Sequence, residues 1–391
     1  MSTKRIAIVG ASGLVGATLV ERLVHKGQDE VLPLIHSSGS AWRLTRLGLT
    51  LKQVELLDRP ALTAALTGCT HVVNCTRGGD GVMLQGFKNL LEASAAAKVQ
   101  RVVHLSSVMV YGDPPHLASV HEDAPALPAK HSYGWVKLKQ DEMLAKAAAA
   151  GLSAISLCPP NIGGPYSYYY NALVGLLQSG SLALLDEDPS PPCVLVDVGN
   201  LCHAIELALD AGPTDGRRLF ITDSETATWK ALVAGLAPLA GIDPATVPRV
   251  SRQQILAARP AGRPAISLKR SVKHLISSDV RQAMRKDPLW ERVDQTLRNI
   301  VARMGSAAES RVRLSVEGPL RAHLAKPAPT FQYATTAQQL RGVAHSCERA
   351  RQELGYVPPY SLQQSIAAYG RWYRSHHGVD TPFADLIAML A

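Results

Sequence analysis

Lys4-Arg5-Ile6-Ala7-Ile8-Val9-Gly10-Ala11-Ser12-Gly13-Leu14-Val15-Gly16 is the stretch from which the rest of the chain can be read. The apolar run Ile6 to Val9 is too short for a helix and fits a buried strand. It meets glycines at 10, 13 and 16, and an apolar-periodic helix follows to about His25. Glycines allow a tight turn and close backbone approach, while the helix start offers free N–H groups and a positive dipole end. The stretch therefore predicts a strand, turn and helix that cradle the pyrophosphate of a dinucleotide. Gly10, Ser12, Gly13, Leu14, Val15 and Gly16 are its contacts.

Outward from there, strand and helix alternate. Val31 to Ile35 reads as a second strand, and His36-Ser37 stand where a ribose-binding acid would hold NAD. With no carboxylate there, and with Arg43 and Arg46 just beyond, the cofactor reading is NADP or NAD, leaning to NADP. Gln53 to Leu57 reads as a strand closed by Asp58, Arg59 to Leu66 as a helix, and His71 to Asn74 as a strand. A glycine-rich loop from Thr76 to Gly81 precedes a helix from Met83 to Ala97 and a strand from Arg101 to Ser106. A helix over 132–150 and a strand from Ser153 to Leu157 follow. Such alternation predicts an α/β fold with a doubly wound parallel sheet, Rossmann-type.

Within helix 132–150, Tyr133 and Lys137 stand four apart on one face. A free phenol titrates near about 10, and a neighbouring cation favours its ionised form, which suits it to proton exchange at neutral pH. Ser106-Ser107, at a strand end, supply a hydroxyl that can donate to the same oxygen.

Composition excludes several classes. Hydrophobic residues make up 46% and charged residues 19%, ordinary for a globular protein, and 5% aromatics offer no stacking platform for nucleic acid. No apolar run is long enough to span a membrane, and the apolar N-terminal run is too short for a signal peptide. Six cysteines (69, 75, 158, 193, 202, 347) show no CxxC and no metal spacing, so reduced thiols, no metal site and a cytoplasmic location are expected. The net charge of +9 is concentrated: residues 249–326 hold 17 Lys+Arg against 6 Asp+Glu.

Further blocks carry a resemblance. Leu105-Ser106-Ser107-Val108-Met109-Val110-Tyr111-Gly112 precedes the tyrosine, and Glu122-Asp123 with Pro125 and Pro128 leads into it. Cys158 to Pro165, Val194 to Val198, Arg217 to Thr228 and Glu353 to Pro358 follow in order. With the glycine turn and YxxxK, these resemble the extended short-chain dehydrogenase/reductase family, the NAD(P)-dependent sugar epimerase/dehydratase group. The resemblance implies Tyr133 as acid/base, Lys137 as the cation that lowers its pKa and holds the nicotinamide ribose, and Ser107 as the polarising hydroxyl. It implies Leu57 and Asp58 at the adenine, Pro159 at the nicotinamide, and Thr76, Asn161 and Asn171 at the substrate. It also implies a smaller, mainly helical substrate-binding domain, a small-molecule substrate and a homodimer.

Departures shape the subfamily. The family's dehydratases carry Asp-Glu after the catalytic hydroxyl residue; Val108-Met109 stand here, which disfavours water elimination. Cys158 replaces an arginine, and the acidic run Asp186-Glu187-Asp188 stands where nucleotide-sugar members place a diphosphate-binding arginine. Arg77, Arg217 and Arg218 are the candidates to compensate. The expected activity is oxidoreduction at a secondary alcohol or ketone of a sugar-like substrate, as epimerase or ketoreductase. The alternatives are a silent NADP-binding regulator and a reductase of a steroid- or lipid-like carbonyl.

A cofactor domain is expected over 1–160, with returning strands near 193–222, and a substrate part over 161–192 and 223–391. Its basic segment, 249–326, carries an apolar stripe of Leu289, Val293, Leu297, Ile300, Val301 and Met304. That pattern fits a helical cap or a surface helix against anionic membrane, and no nucleic-acid module accompanies it.

Overall fold

The structure is a computed structural model and describes residues 3–223, 225–260 and 331–377. Seven strands form one parallel sheet: β1 (Arg5–Val9), β2 (Glu30–Ile35), β3 (Lys52–Gln53), β4 (His71–Asn74), β5 (Arg101–Leu105), β6 (Ser153–Cys158) and β7 (Asp215–Phe220). Their spatial order is β7-β6-β5-β4-β1-β2-β3. β1 pairs with β2 on one side and β4 on the other, so the connections part there. A crevice opens outside the carboxyl ends at such a switch point.

Strand residues alternate between two apolar layers. Ile6 and Ile8 face α1 (Leu14–Lys26) and α6 (Val198–Asp210), with Leu19, Leu201 and Ile205 in the same core. Ala7 and Val9 face the other layer, among Leu62 of α2 (Arg59–Leu66), Phe87 and Leu90 of α3 (Phe87–Ala96), and Leu144 of α4 (Tyr133–Ala149). Both sheet faces are covered, as a doubly wound sheet requires. A separate core joins α5 (Tyr168–Gln178), α7 (Trp229–Leu236) and α9 (Leu362–His376) through Tyr170, Leu173, Trp229, Leu232 and Tyr369. Between them in sequence lies α8 (Glu348–Leu354).

Two elements differ from the sequence reading. β3 stops at Gln53: the Val54 N–H still reaches the Ile35 carbonyl, but the Asp58 N–H then closes a turn onto Glu55. The helix expected from Met83 begins with a wide π turn over Val82–Gly86 before α3.

The described residues up to Leu256 and from 331 to 377 form one compact unit. The apolar stripe Leu289 to Met304 lies outside the described residues. The described part of the basic segment pairs Arg249 with Asp186 and Arg252 with Glu187, neutralising much of the acidic run.

Candidate active site

One cavity of about 960 Å³ opens at the carboxyl ends of the strands. It runs from the glycine turn to a wall of aromatic side chains. Gly10, Ser12, Gly13, Leu14 and Val15 line one end. Gly10 has φ +79°, a conformation that side chains rarely adopt. Gly16 does not line the cavity; a Cβ there would collide with the Gly10 carbonyl oxygen, so it brings α1 close to the turn. No side chain caps α1, whose first N–H groups are left for a ligand. A turn without Cβ atoms, backed by an uncapped helix, fits a dinucleotide pyrophosphate.

The adenosine end departs from the sequence reading. His36 lines it, but its Nε2 lies 2.8 Å from Glu55 Oε1. A carboxylate therefore does stand there, delivered by the connection after β3. Leu56 lines the cavity, whereas Leu57 is 53% exposed and outside it. Asp58 caps α2 by accepting from the Ala61 N–H. Ending β3 early shifts the cavity-facing positions from 57–58 to 55–56. Ser37 is exposed and outside the lining. Arg43 is buried, paired with Glu21 at 2.6 Å and stacked 3.9 Å from the Tyr166 ring centroid. Arg46 pairs with the same Glu21 at 3.0 Å. Neither arginine is free for a phosphate.

Three side chains meet at the centre. Ser107 caps the turn after β5: its hydroxyl accepts from the Met109 N–H at 3.2 Å and donates to the Pro159 carbonyl at 3.5 Å. Tyr133 opens α4 behind its cap Ser132, and Lys137 follows one turn later. Gly134 lets α4 touch the Ser107 turn, because a Cβ there would collide with the Met109 carbonyl. Lys137 Nζ is buried, lies 6.0 Å from the Tyr133 ring centroid and donates to the Leu105 carbonyl at 2.7 Å.

Burial brings Lys137 down to about 8, opposed by Asp141. Burial also raises the Tyr133 phenol above its usual value, with the Arg77 guanidinium the main opposing charge. The lysine, turned to a carbonyl, does not offset that burial. Beneath them Asp141 accepts from Ser106 at 2.9 Å and Ser156 at 2.6 Å, and burial pushes it up to about 6.

Thr76, Pro159 and Asn161 line the cavity as expected positions, with Asn161 Nδ2 donating to Gln338 Oε1 at 3.2 Å. Asn171 does not; its carbonyl oxygen accepts from the Tyr369 hydroxyl at 2.6 Å and ties α5 to α9. Arg217 is bound to Asp215 and Glu353, and neither it nor Arg218 lines the cavity. Arg77 does. Gln338, Arg341, Val343 and His345, some 200 residues past Tyr133, complete the wall beside Tyr168, Tyr169 and Trp229. Arg341 is held by Asp113 through two bonds of 2.8 and 2.9 Å. No motif near those four could have announced them. Among the described residues no group of His, Cys, Asp and Glu could hold a metal ion.

Residues 6–200 match the model of the NAD dependent epimerase/dehydratase family. The chain belongs to this family. A ketoreductase of 4-hydroxy-2-methyl-3-oxo-4-farnesyl-3,4-dihydroquinoline-1-oxide from Stigmatella aurantiaca is 27% identical over 61% of this chain and 74% of its own. UDP-glucose 4-epimerase of Streptomyces lividans is 28% identical over 53% and 71%. Among solved structures, dTDP-glucose 4,6-dehydratase of Bacillus anthracis in complex with NAD superposes with a TM-score of 0.65. It covers 96% of this chain and 98% of that one at 15% identity, a likeness of fold alone. The family match ends near the start of α6, so the wall from Gln338 to His345 lies beyond it.

Proposed function

We propose that this family member catalyses NAD(P)-dependent oxidoreduction at a secondary alcohol or ketone, with Tyr133 as the acid/base. The observation that carries the reading is the convergence of Ser107, Tyr133 and Lys137 in the cavity that also holds the glycine turn. Gly10, Ser12, Gly13, Leu14 and Val15 would hold the pyrophosphate, His36 and Glu55 the adenosine, and Lys137 and Pro159 the nicotinamide end. When bound, the dinucleotide accepts or returns a hydride. Ser107 donates to the reacting oxygen, and Tyr133 exchanges its proton. The Lys137 ammonium stays buried beside both, positioned to take up the ribose. NAD and NADP are both candidates, with the balance set at the His36–Glu55 pair. A homodimer in the cytoplasm is the assembly and place proposed.

Two outcomes share this chemistry. An epimerase oxidises and re-reduces a sugar-like substrate and keeps its cofactor, while a ketoreductase releases it every turnover. The substrate end favours the second reading. Its wall is mainly Tyr168, Tyr169, Trp229, Val343 and Met109, with Gln338 and His345 as neutral polar groups, and its distal guanidinium, Arg341, is already bound to Asp113. That wall suits an apolar carbonyl better than a diphosphate. Native mass spectrometry of the purified chain, followed by NADH and NADPH oxidation with sugar-like and apolar ketones, tests both. Tightly retained cofactor supports recycling; free exchange with turnover of ketones supports reduction; no dinucleotide binding at all ends the proposal.

A further inference from the structure

The glycine-rich loop after β4 carries a group that the mechanism above leaves unused. Asn74, at the end of β4, accepts through its side-chain oxygen from the Thr76 N–H at 3.2 Å and the Thr76 hydroxyl at 2.7 Å. Its Nδ2 lies 3.0 Å from His104 Nδ1. The backbone entering Arg77 is therefore fixed. From there the Arg77 guanidinium reaches into the cavity and lies 5.3 Å from the Tyr133 ring centroid, closer than Lys137 Nζ at 6.0 Å. It makes no ion pair among the described residues, whereas Lys137 donates to the Leu105 carbonyl.

We propose that Arg77 is a second cation of the catalytic centre, a positioning residue that holds the Tyr133 oxygen ready to accept a proton. The proposal rests on the reading of Tyr133 as the acid/base. Tyr133 is 38% exposed within the cavity, and groups of both signs face its phenol. Lys137 and Asp141 reach it from α4, Cys158 from the end of β6, and Arg77 from the loop. Arg341 and His345 line the same cavity further off, and Arg341 is neutralised by Asp113. Asp141 disfavours a phenolate and burial does so more strongly, while burial also keeps the Cys158 thiol protonated. Among the described residues, Arg77 is the cation that opposes them without an ion-pair partner of its own. Being an exposed arginine, it acts through a solvent-screened field, and its influence should fade with salt.

The test needs no substrate. Tyrosinate formation is followed by ultraviolet difference absorption on the full chain, and the Tyr133 trace is isolated by subtracting Tyr133→Phe in the same background. Arg77→Gln should raise the Tyr133 midpoint by about one pH unit, and Arg77→Lys should restore most of it. The shift should shrink between low and high salt. Binding of NAD and NADP is measured by calorimetry on the same proteins. A midpoint unmoved by Arg77→Gln overturns the proposal. So does an affinity loss of about tenfold with the midpoint unmoved, which would make Arg77 a cofactor-phosphate ligand. A Tyr133→Phe chain that still turns over ketones removes the underlying reading instead, and leaves Arg77 nothing to position.

Discussion

In the proposed reaction Tyr133 has one oxygen to give, and its ring anchors that oxygen at the start of α4, in the cavity that Ser107 also lines. Tyr133→Phe keeps the ring and removes the proton, so turnover should fall by about 10²–10⁴-fold with cofactor affinity unchanged. Steady-state kinetics beside calorimetry checks this, and near wild-type turnover would remove Tyr133 from its role. At the other end of the cavity the deciding residue is Glu55. Its carboxylate sits 2.8 Å from His36 Nε2, where it repels a 2′-phosphate and can accept from a ribose hydroxyl. Glu55→Gln should shift the ratio of NADP to NAD affinity about tenfold towards NADP. An unchanged ratio would mean that the pair points away from the bound ribose.

At the scale of elements, the site depends on how closely α4 approaches the turn after β5. That approach is possible because Gly134 has no side chain to meet the Met109 carbonyl. Gly134→Ala should push the helix start away and carry Tyr133 from Ser107, although the residue takes no part in the chemistry. Overpacking of this kind costs about 1–3 kcal/mol, and misplacement of the phenol should lower turnover by about 10²-fold. Thermal melting and kinetics together check it. A stable and fully active variant would show that α4 can shift without loss. Gly16 plays the matching part for α1 against Gly10, at the cofactor end.

Across the whole molecule, buried carboxylates make the pH dependence of stability unusual. Burial pushes Asp141 and Asp223 each up to about 6, and also raises Glu122 and Asp197. In an unfolded chain these groups titrate near about 4. Between those values they bind more protons in the folded chain than in the unfolded one, so their contribution to stability should grow as pH falls from about 6 towards 4. Ion-paired acids act with the opposite sign. Arg217 holds Asp215 down at about 2, and Glu206, paired with Arg22 and Lys26, lies below its usual value. Their contribution is lost as pH falls through the unfolded value towards the folded one. Buried histidines also act with the opposite sign: burial lowers His71, His104, His203 and His345, whose contribution is lost as pH falls through the free imidazole value of about 6.5. The melting temperature should therefore fall from pH 7 towards pH 5, with the buried carboxylates softening the fall, and drop further below pH 4. Asp141→Asn should steepen the fall between about pH 6 and pH 4, because it removes a group that binds its proton more tightly in the folded chain. The same pH slope in variant and parent would contradict the assignment.

The fold and the placing of the proposed trio in one cavity were legible in the sequence because each is written locally. The strand, turn and helix of 4–26 place their own glycines, and one helical turn brings Lys137 beneath Tyr133. The adenosine end was not legible: whether 55–56 or 57–58 face the cavity depends on where β3 leaves the sheet, which the pairing with β2 decides. Arg43 and Arg46 looked free because Glu21, more than 20 residues away, is invisible as their partner until α1 packs. Asn171 looked like a substrate contact until α9 supplied Tyr369. The wall from Gln338 to His345 is assembled only in three dimensions, by contacts such as Arg341 to Asp113 across 228 positions. Periodicity and spacing fix what neighbours along the chain must do. Which side chains are left free for a ligand is decided by long-range pairing, and no local pattern encodes that.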